Sequence, residues 1–126
     1  MKLNIKNETG KLKSVVLGQP NSMGIAPTLE ESYDAKSHYT LQNGKYPNEI
    51  DITSEMTAFE NILKKYEVEV FRPNVIHDYN QVFARDVAFV IEDKMIISNV
   101  IHDRSDEQEA YRKIFEKVKW RDIINL

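Results

Sequence analysis

The sequence predicts an α/β fold made of two successive β/α modules, and three observations carry that prediction. Residues 48–66 place Ile52, Met56, Phe59, Leu63 and Tyr66 at three- and four-residue steps, the apolar stripe of a helix, and lead into the β-rich VEVF of 68–71. Two apolar runs, VAFVI (87–91) and MIISNVI (95–101), flank Glu92, Asp93 and Lys94 like the arms of a hairpin. A second helical stripe of Tyr111, Ile114, Phe115 and Val118 then gives way to a further strand at 123–126.

Each element has a local reason. KSVVLG (13–18) is a short β-rich run closed by Gly18 and Pro20. Residues 19–49 hold Pro20, Pro27, Pro47, Gly24 and Gly44, the composition of a long loop, with a short helix expected around 29–35. In the helix at 48–66, Glu49 and Asp51 lie near the positive end of the dipole and Lys64 and Lys65 near the negative end. Pro73 stops the strand that follows it. The hairpin arms are nearly continuous in apolar residues, which places them in a sheet covered on at least one face. Ser105 and Gln108 have the spacing of a capping box, with Asp106 and Glu107 in the first turn of a helix running to about Trp120.

Bulk composition narrows the functional classes. A chain of 126 residues forms one domain with a real core, and 41% hydrophobic with 29% charged residues is the balance of a globular protein. A formal net charge of −3 argues against nucleic acid or an anionic membrane as partner. No apolar run reaches membrane-spanning length, and MKLNIKNETG lacks the features of a signal peptide, so the expected location is the cytoplasm. The chain has no cysteine, which removes disulfides, thiolate metal sites and any cysteine nucleophile of its own. His38, His77 and His102 lack metal-ligand spacing, and no metal or cofactor is expected.

The chemistry concentrates in NQVFARD (80–86), which sets Arg85 beside Asp86 at the entrance of an apolar strand. A carboxylate there matches a planar cation with two parallel N–H groups, a guanidinium or amidinium. Asn80 offers an amide to a polar ligand, and Arg104, before the second helix, offers a guanidinium to a ligand carboxylate. A structural reading stands beside this one. Adjacent residues alternate sides on an extended chain, so either charge can meet an opposite charge elsewhere as an ordinary ion pair. Arg104 and Glu107 fit a solvated i,i+3 pair, His102 with Asp103 a surface turn, and Phe83 a core anchor. Chemistry alone leaves both readings open.

The string NQVFARDVAFVIEDKMIISN, followed by Arg104-x-x-Glu107, resembles the N-terminal part of the amidinotransferase, arginine deiminase and dimethylarginine dimethylaminohydrolase superfamily, the pentein fold. Its members share an F-x-R-D element, a hydrophobic hairpin and an R-x-x-E element that opens a helix. LKSVVLGQP near the start and the helix leading into VEVFRP are similar to the same family, and the resemblance covers most of residues 11–118. It implies an α/β propeller of five ββαβ modules, of which this chain holds about two as the N-terminal portion of a longer domain. It implies attack on a guanidinium carbon by a cysteine, with a histidine moving protons. By the same resemblance Asp86 grips the guanidinium of arginine or a related compound. Asn80 helps to hold the amino-acid end, and Arg104 contacts the substrate carboxylate. Arg85 is left as the structural charge.

The family's cysteine and histidine have no counterpart here, so the chain is expected to be inactive alone. It is expected to depend on further modules or to self-associate, because two modules of such a fan leave open edges. The alternative expectation is a non-catalytic binding or scaffold module of the same fold.

Overall fold

In the computed structural model residues 1–32 and 34–126 are described, Asp103 by its backbone alone. The first sheet is a parallel pair, β1 (Ser14–Val16) beside β2 (Glu69–Phe71), in the register Ser14↔Glu69 and Val16↔Phe71. Two helices lie between them in sequence, α1 (Ala35–Gln42) and α2 (Glu49–Lys65). Helix α1 replaces the helix expected at 29–35, a range that includes Tyr33, which lies outside the described residues. It begins where it does because the Asp34 carboxylate accepts the amides of Lys36 and Ser37, supplying the N-terminal cap.

Helix α2 matches its expected span almost to the residue. The Asn48 side chain accepts the Asp51 amide at 2.9 Å, and Glu67 leaves the helix in a left-handed conformation with φ +60°. Its apolar stripe is less buried than its periodicity implies. Ile52, Met56 and Leu63 are half-buried, whereas Phe59 and Tyr66 are exposed. Polar contacts fasten this region instead: both Glu49 carboxylate oxygens accept backbone amides, from Ser22 and Met23, each at 3.0 Å.

The second sheet is entered through a one-turn helix, α3 (Ala84–Val87), which runs directly into β3 (Ala88–Ile91). β3 pairs antiparallel with β4 (Lys94–Ile97). Ile91 pairs with Lys94, so the turn is only Glu92 and Asp93, with Glu92 at φ +52° doing without a glycine. The chain then passes through a 3₁₀ turn, His102–Arg104, into α4 (Ser105–Ala110) and α5 (Arg112–Phe115). It ends in β5 (Ile123–Asn125), parallel to β4, giving a sheet of order β3-β4-β5.

Two sequence expectations for this region are corrected. The single helix to Trp120 is interrupted at Tyr111, which closes α4 and opens α5. The Ser105–Gln108 capping box does not form. The 3₁₀ turn already supplies helical backbone, so Ser105 (φ −59°, ψ −35°) lies inside the helix rather than at its extended cap, and Gln108 Nε2 donates to the Ser98 carbonyl at 2.7 Å.

The core draws on both parts of the chain. Val87, Ala110, Tyr111 and Ile114 are buried together, and Val16, Phe71, Ile76 and Phe115 pack against them. The two small sheets and their helices make a mixed α/β fold. Among the described residues no helix is long and apolar enough to cross a membrane.

Candidate functional site: the Asp86 charge network

Asp86 owes its position to the segment before it. Gln81 is fully buried; its Oε1 accepts the Ile76 amide at 2.7 Å and its Nε2 donates to the Asn74 carbonyl at 3.0 Å. Its backbone carbonyl accepts the Gln19 amide at 2.9 Å, tying the segment to the end of β1. The approach is so close that a Cβ on Gly18 would stand 1.9 Å from the Val82 carbonyl oxygen, so only glycine fits. Nothing in the sequence marked Gln81, because a lone glutamine carries no periodic signal. Asn80, exposed, turns its Oδ1 onto the Val82 amide at 3.2 Å and makes no hydrogen bond to Asp86 or Arg104.

Arg85 and Asp86 occupy the single turn of α3, not an extended strand. Asp86 makes the ion pair, while exposed Arg85 makes none among the described residues. Phe83 is 60% exposed and therefore not a core anchor. His102 is exposed, and the Asp103 side chain expected beside it lies outside the described residues.

The partner of Asp86 is Arg104, and hairpin geometry brings them together. Antiparallel pairing returns the chain beside its starting point, where the Ser98 amide donates to the Val87 carbonyl at 3.0 Å. Gln108 then draws the first turn of α4 onto Ser98. From there Arg104 Nη1 donates to Asp86 Oδ2 at 2.8 Å, while its Nε and Nη2 donate to Glu107 Oε1 and Oε2 at 2.5 and 3.0 Å. Sequence spacing pointed to a solvated Arg104–Glu107 pair; the correction is that Glu107 is 0% exposed and Arg104 only 22%. Tertiary packing of α4 against the core, which spacing does not report, buries that pair.

Electrostatics follow from this geometry. The hydrogen bonds to Glu107, then those to Asp86, hold the Arg104 guanidinium more firmly protonated than usual, against the opposing cost of burial. Burial first, and then the Glu107 charge, push the neighbouring Tyr111 phenol up, so it stays neutral; its buried hydroxyl has no hydrogen-bond partner among the described residues. Two carboxylates around one guanidinium leave one negative charge unbalanced. The outer carboxylate, Asp86, is 51% exposed and its Oδ1 has no hydrogen-bond partner among the described residues, so the network can accept one further cation.

Two other features offer less. Ser22 Oγ and His77 Nδ1 lie 2.7 Å apart, with Asp78 Oδ2 3.6 Å from His77 Nε2. Ser22 Oγ also accepts the Asp78 amide, and the imidazole is 89% exposed, so nothing excludes water from that contact. A hollow of about 450 Å³ lined by Ile97, Arg112, Phe115, Trp120 and Ile123 includes none of Asn80, Asp86 and Arg104.

No family model matches the chain, and no curated protein matches it. Among solved structures the chain is similar to SxtG, an amidinotransferase from Microseira wollei in the saxitoxin biosynthetic pathway. The TM-score is 0.71 at 20% sequence identity, over 98% of this chain and 41% of that one. The chain thus spans about two-fifths of the length of that protein. The likeness shows the fold: these residues take the mixed α/β fold of an amidinotransferase, in agreement with the resemblance carried by NQVFARD, the hairpin and Arg104-x-x-Glu107.

Proposed function

We propose that the chain is the N-terminal portion of a guanidino-group-modifying enzyme, an amidinotransferase or arginine deiminase-type amidinohydrolase, supplying about two of the five ββαβ modules of a pentein propeller. Asp86 anchors the guanidinium of arginine or a related compound. Arg104 keeps two N–H groups beyond those bound to Glu107 and Asp86, and offers them to the carboxylate of the substrate. Asn80 contributes its amide to the amino-acid end. The nucleophilic cysteine and the proton-transferring histidine come from other modules, since this chain has no cysteine. The chain alone is inactive, and the assembled protein works in the cytoplasm on a small molecule, without nucleic acid, membrane or cofactor.

The observation that carries this reading is the half-exposed Asp86 carboxylate, with a free oxygen at the open end of a network bearing one excess negative charge. Arginine titrated into the chain and followed by heteronuclear NMR is expected to shift Asp86 and Arg104, and the shifts are expected to vanish in Asp86→Asn. Unchanged binding in that variant refutes the anchor.

The absence of cysteine favours a second reading, a non-catalytic binding or scaffold module of the same fold. Coding sequence downstream of Leu126 separates the two: an in-frame histidine and cysteine support the enzyme, a stop codon the scaffold. On either reading the outer face of the β3-β4-β5 sheet needs a cover. Phe89, Ile91 and Ile124 are exposed on that face by register. The chain alone is expected to self-associate in sedimentation velocity, and a monodisperse monomer contradicts this.

A further inference from the structure

We infer that Glu107 is a positioning residue for the Asp86 anchor, acting through Arg104 and touching no ligand itself; the inference rests on the reading of Asp86 as a guanidinium anchor. A guanidinium is planar, so a partner that engages two of its nitrogens fixes the direction of every remaining N–H. Glu107 engages Nε and Nη2, and being completely buried at the base of α4 it is the immobile member of the set. The direction of Nη1 is thereby set, and Nη1 holds Asp86 Oδ2 at 2.8 Å. With one carboxylate oxygen held, the swing of the half-exposed Asp86 carboxylate is restricted, and Oδ1 makes no hydrogen bond among the described residues.

The same geometry opposes a purely structural role. A buried ion pair stabilises a fold little more than a well-packed apolar pair of the same volume. Here the pair continues into a third, half-exposed group with an unused acceptor. Glu107 lies on the turn that Gln108 fastens to Ser98, so the hairpin and α4 share one reference point for the anchor.

The test uses the 126-residue chain and two probes, methylguanidinium and arginine, titrated by NMR into wild type, Glu107→Gln, Arg104→Lys and the double variant. Glu107→Gln keeps the volume but loses the charged fork, and Arg104→Lys keeps the charge but loses the plane. Each is expected to weaken methylguanidinium binding about tenfold, although the carboxylate of Asp86 is intact and this probe has no carboxylate for Arg104. The double variant is expected to lose no more than either single one, the signature of residues acting in series. In wild type the Arg104 Nε–H resonance is expected to be sharp and slow to exchange, and in Glu107→Gln broad. Undiminished methylguanidinium binding in Glu107→Gln, or additive losses in the double variant, overturns the positioning role while the anchor survives. If Glu107→Gln does not fold, Arg104→Lys alone decides in the same way. If wild type binds neither probe, the anchor itself fails and the positioning role with it.

Discussion

Two arginines organise this molecule, and what each leaves unbound separates a staple from a site. Arg72 donates to Glu60 Oε2 at 2.7 Å, to the Gly18 carbonyl and to the Met56 carbonyl at 3.5 Å. Glu60 Oε1 meets Lys64 at 2.6 Å. Two cations thus hold one carboxylate, both of whose oxygens are taken, and Arg72 also donates to two backbone carbonyls. Around Arg104 the count is inverted: two carboxylates share one cation, and an oxygen of the exposed one is free. The closed network joins α2 to the ends of β1 and β2. The open one ends at the surface with charge to offer.

The largest expected effect strikes both networks at once. Gly18 gives its carbonyl to Arg72 and abuts the backbone before α3, so Gly18→Ala forces the two apart. We expect a loss of about 3 kcal/mol in denaturant unfolding, together with weakened guanidine binding. A neutral substitution would mean that the contact between β1 and the Gln81 segment does not position the site.

Arg72→Met is expected to cost about 2 kcal/mol of stability, because it leaves part-buried acceptors unpaired. It is expected to leave guanidine binding unchanged, which sharpens the contrast with Arg104. A change in binding would mean that the two networks are coupled.

The smallest effect is one of pH. Lys64 first, and then Arg72, hold the Glu60 carboxylate below its ordinary value of 4.5. A carboxylate whose folded value lies below the unfolded one contributes stability fully above the unfolded value, and loses it as pH falls through the folded one. The acid limb of the unfolding curve should therefore carry a Glu60 component below about pH 4.5 that shrinks in Arg72→Met. An acid limb identical in the two proteins would remove Glu60 from the account.

Sequence reading succeeded where a pattern repeats and failed where a single side chain decides. Helix α2, both hairpin strands and β5 announce themselves through periodicity or an apolar run. The one-turn α3, the break at Tyr111 and the start of α1 depend on local hydrogen bonds that no periodic signal encodes. The family resemblance named Asp86 and Arg104 as substrate contacts, and the structure pairs them with each other, which the resemblance did not imply. Asn80, named by the same resemblance, is engaged with its own backbone. Burial of Glu107 and Gln81 was invisible, because their side chains are satisfied by near neighbours in sequence, Arg104 for one and Asn74 and Ile76 for the other, and only tertiary packing around those pairs excludes water. Arg85, expected as the structural charge, makes no ion pair among the described residues for a related reason: which of two adjacent charges finds a partner depends on where the hairpin returns.

The most direct test of the whole account is the titration of methylguanidinium into Asp86→Asn and Arg72→Met side by side, with unfolding followed on the same samples. The account predicts that Asp86→Asn abolishes binding while costing about 1 kcal/mol or less, since a half-exposed ion pair contributes little, and that Arg72→Met does the reverse. Binding that survives in Asp86→Asn, or falls equally in both variants, contradicts it.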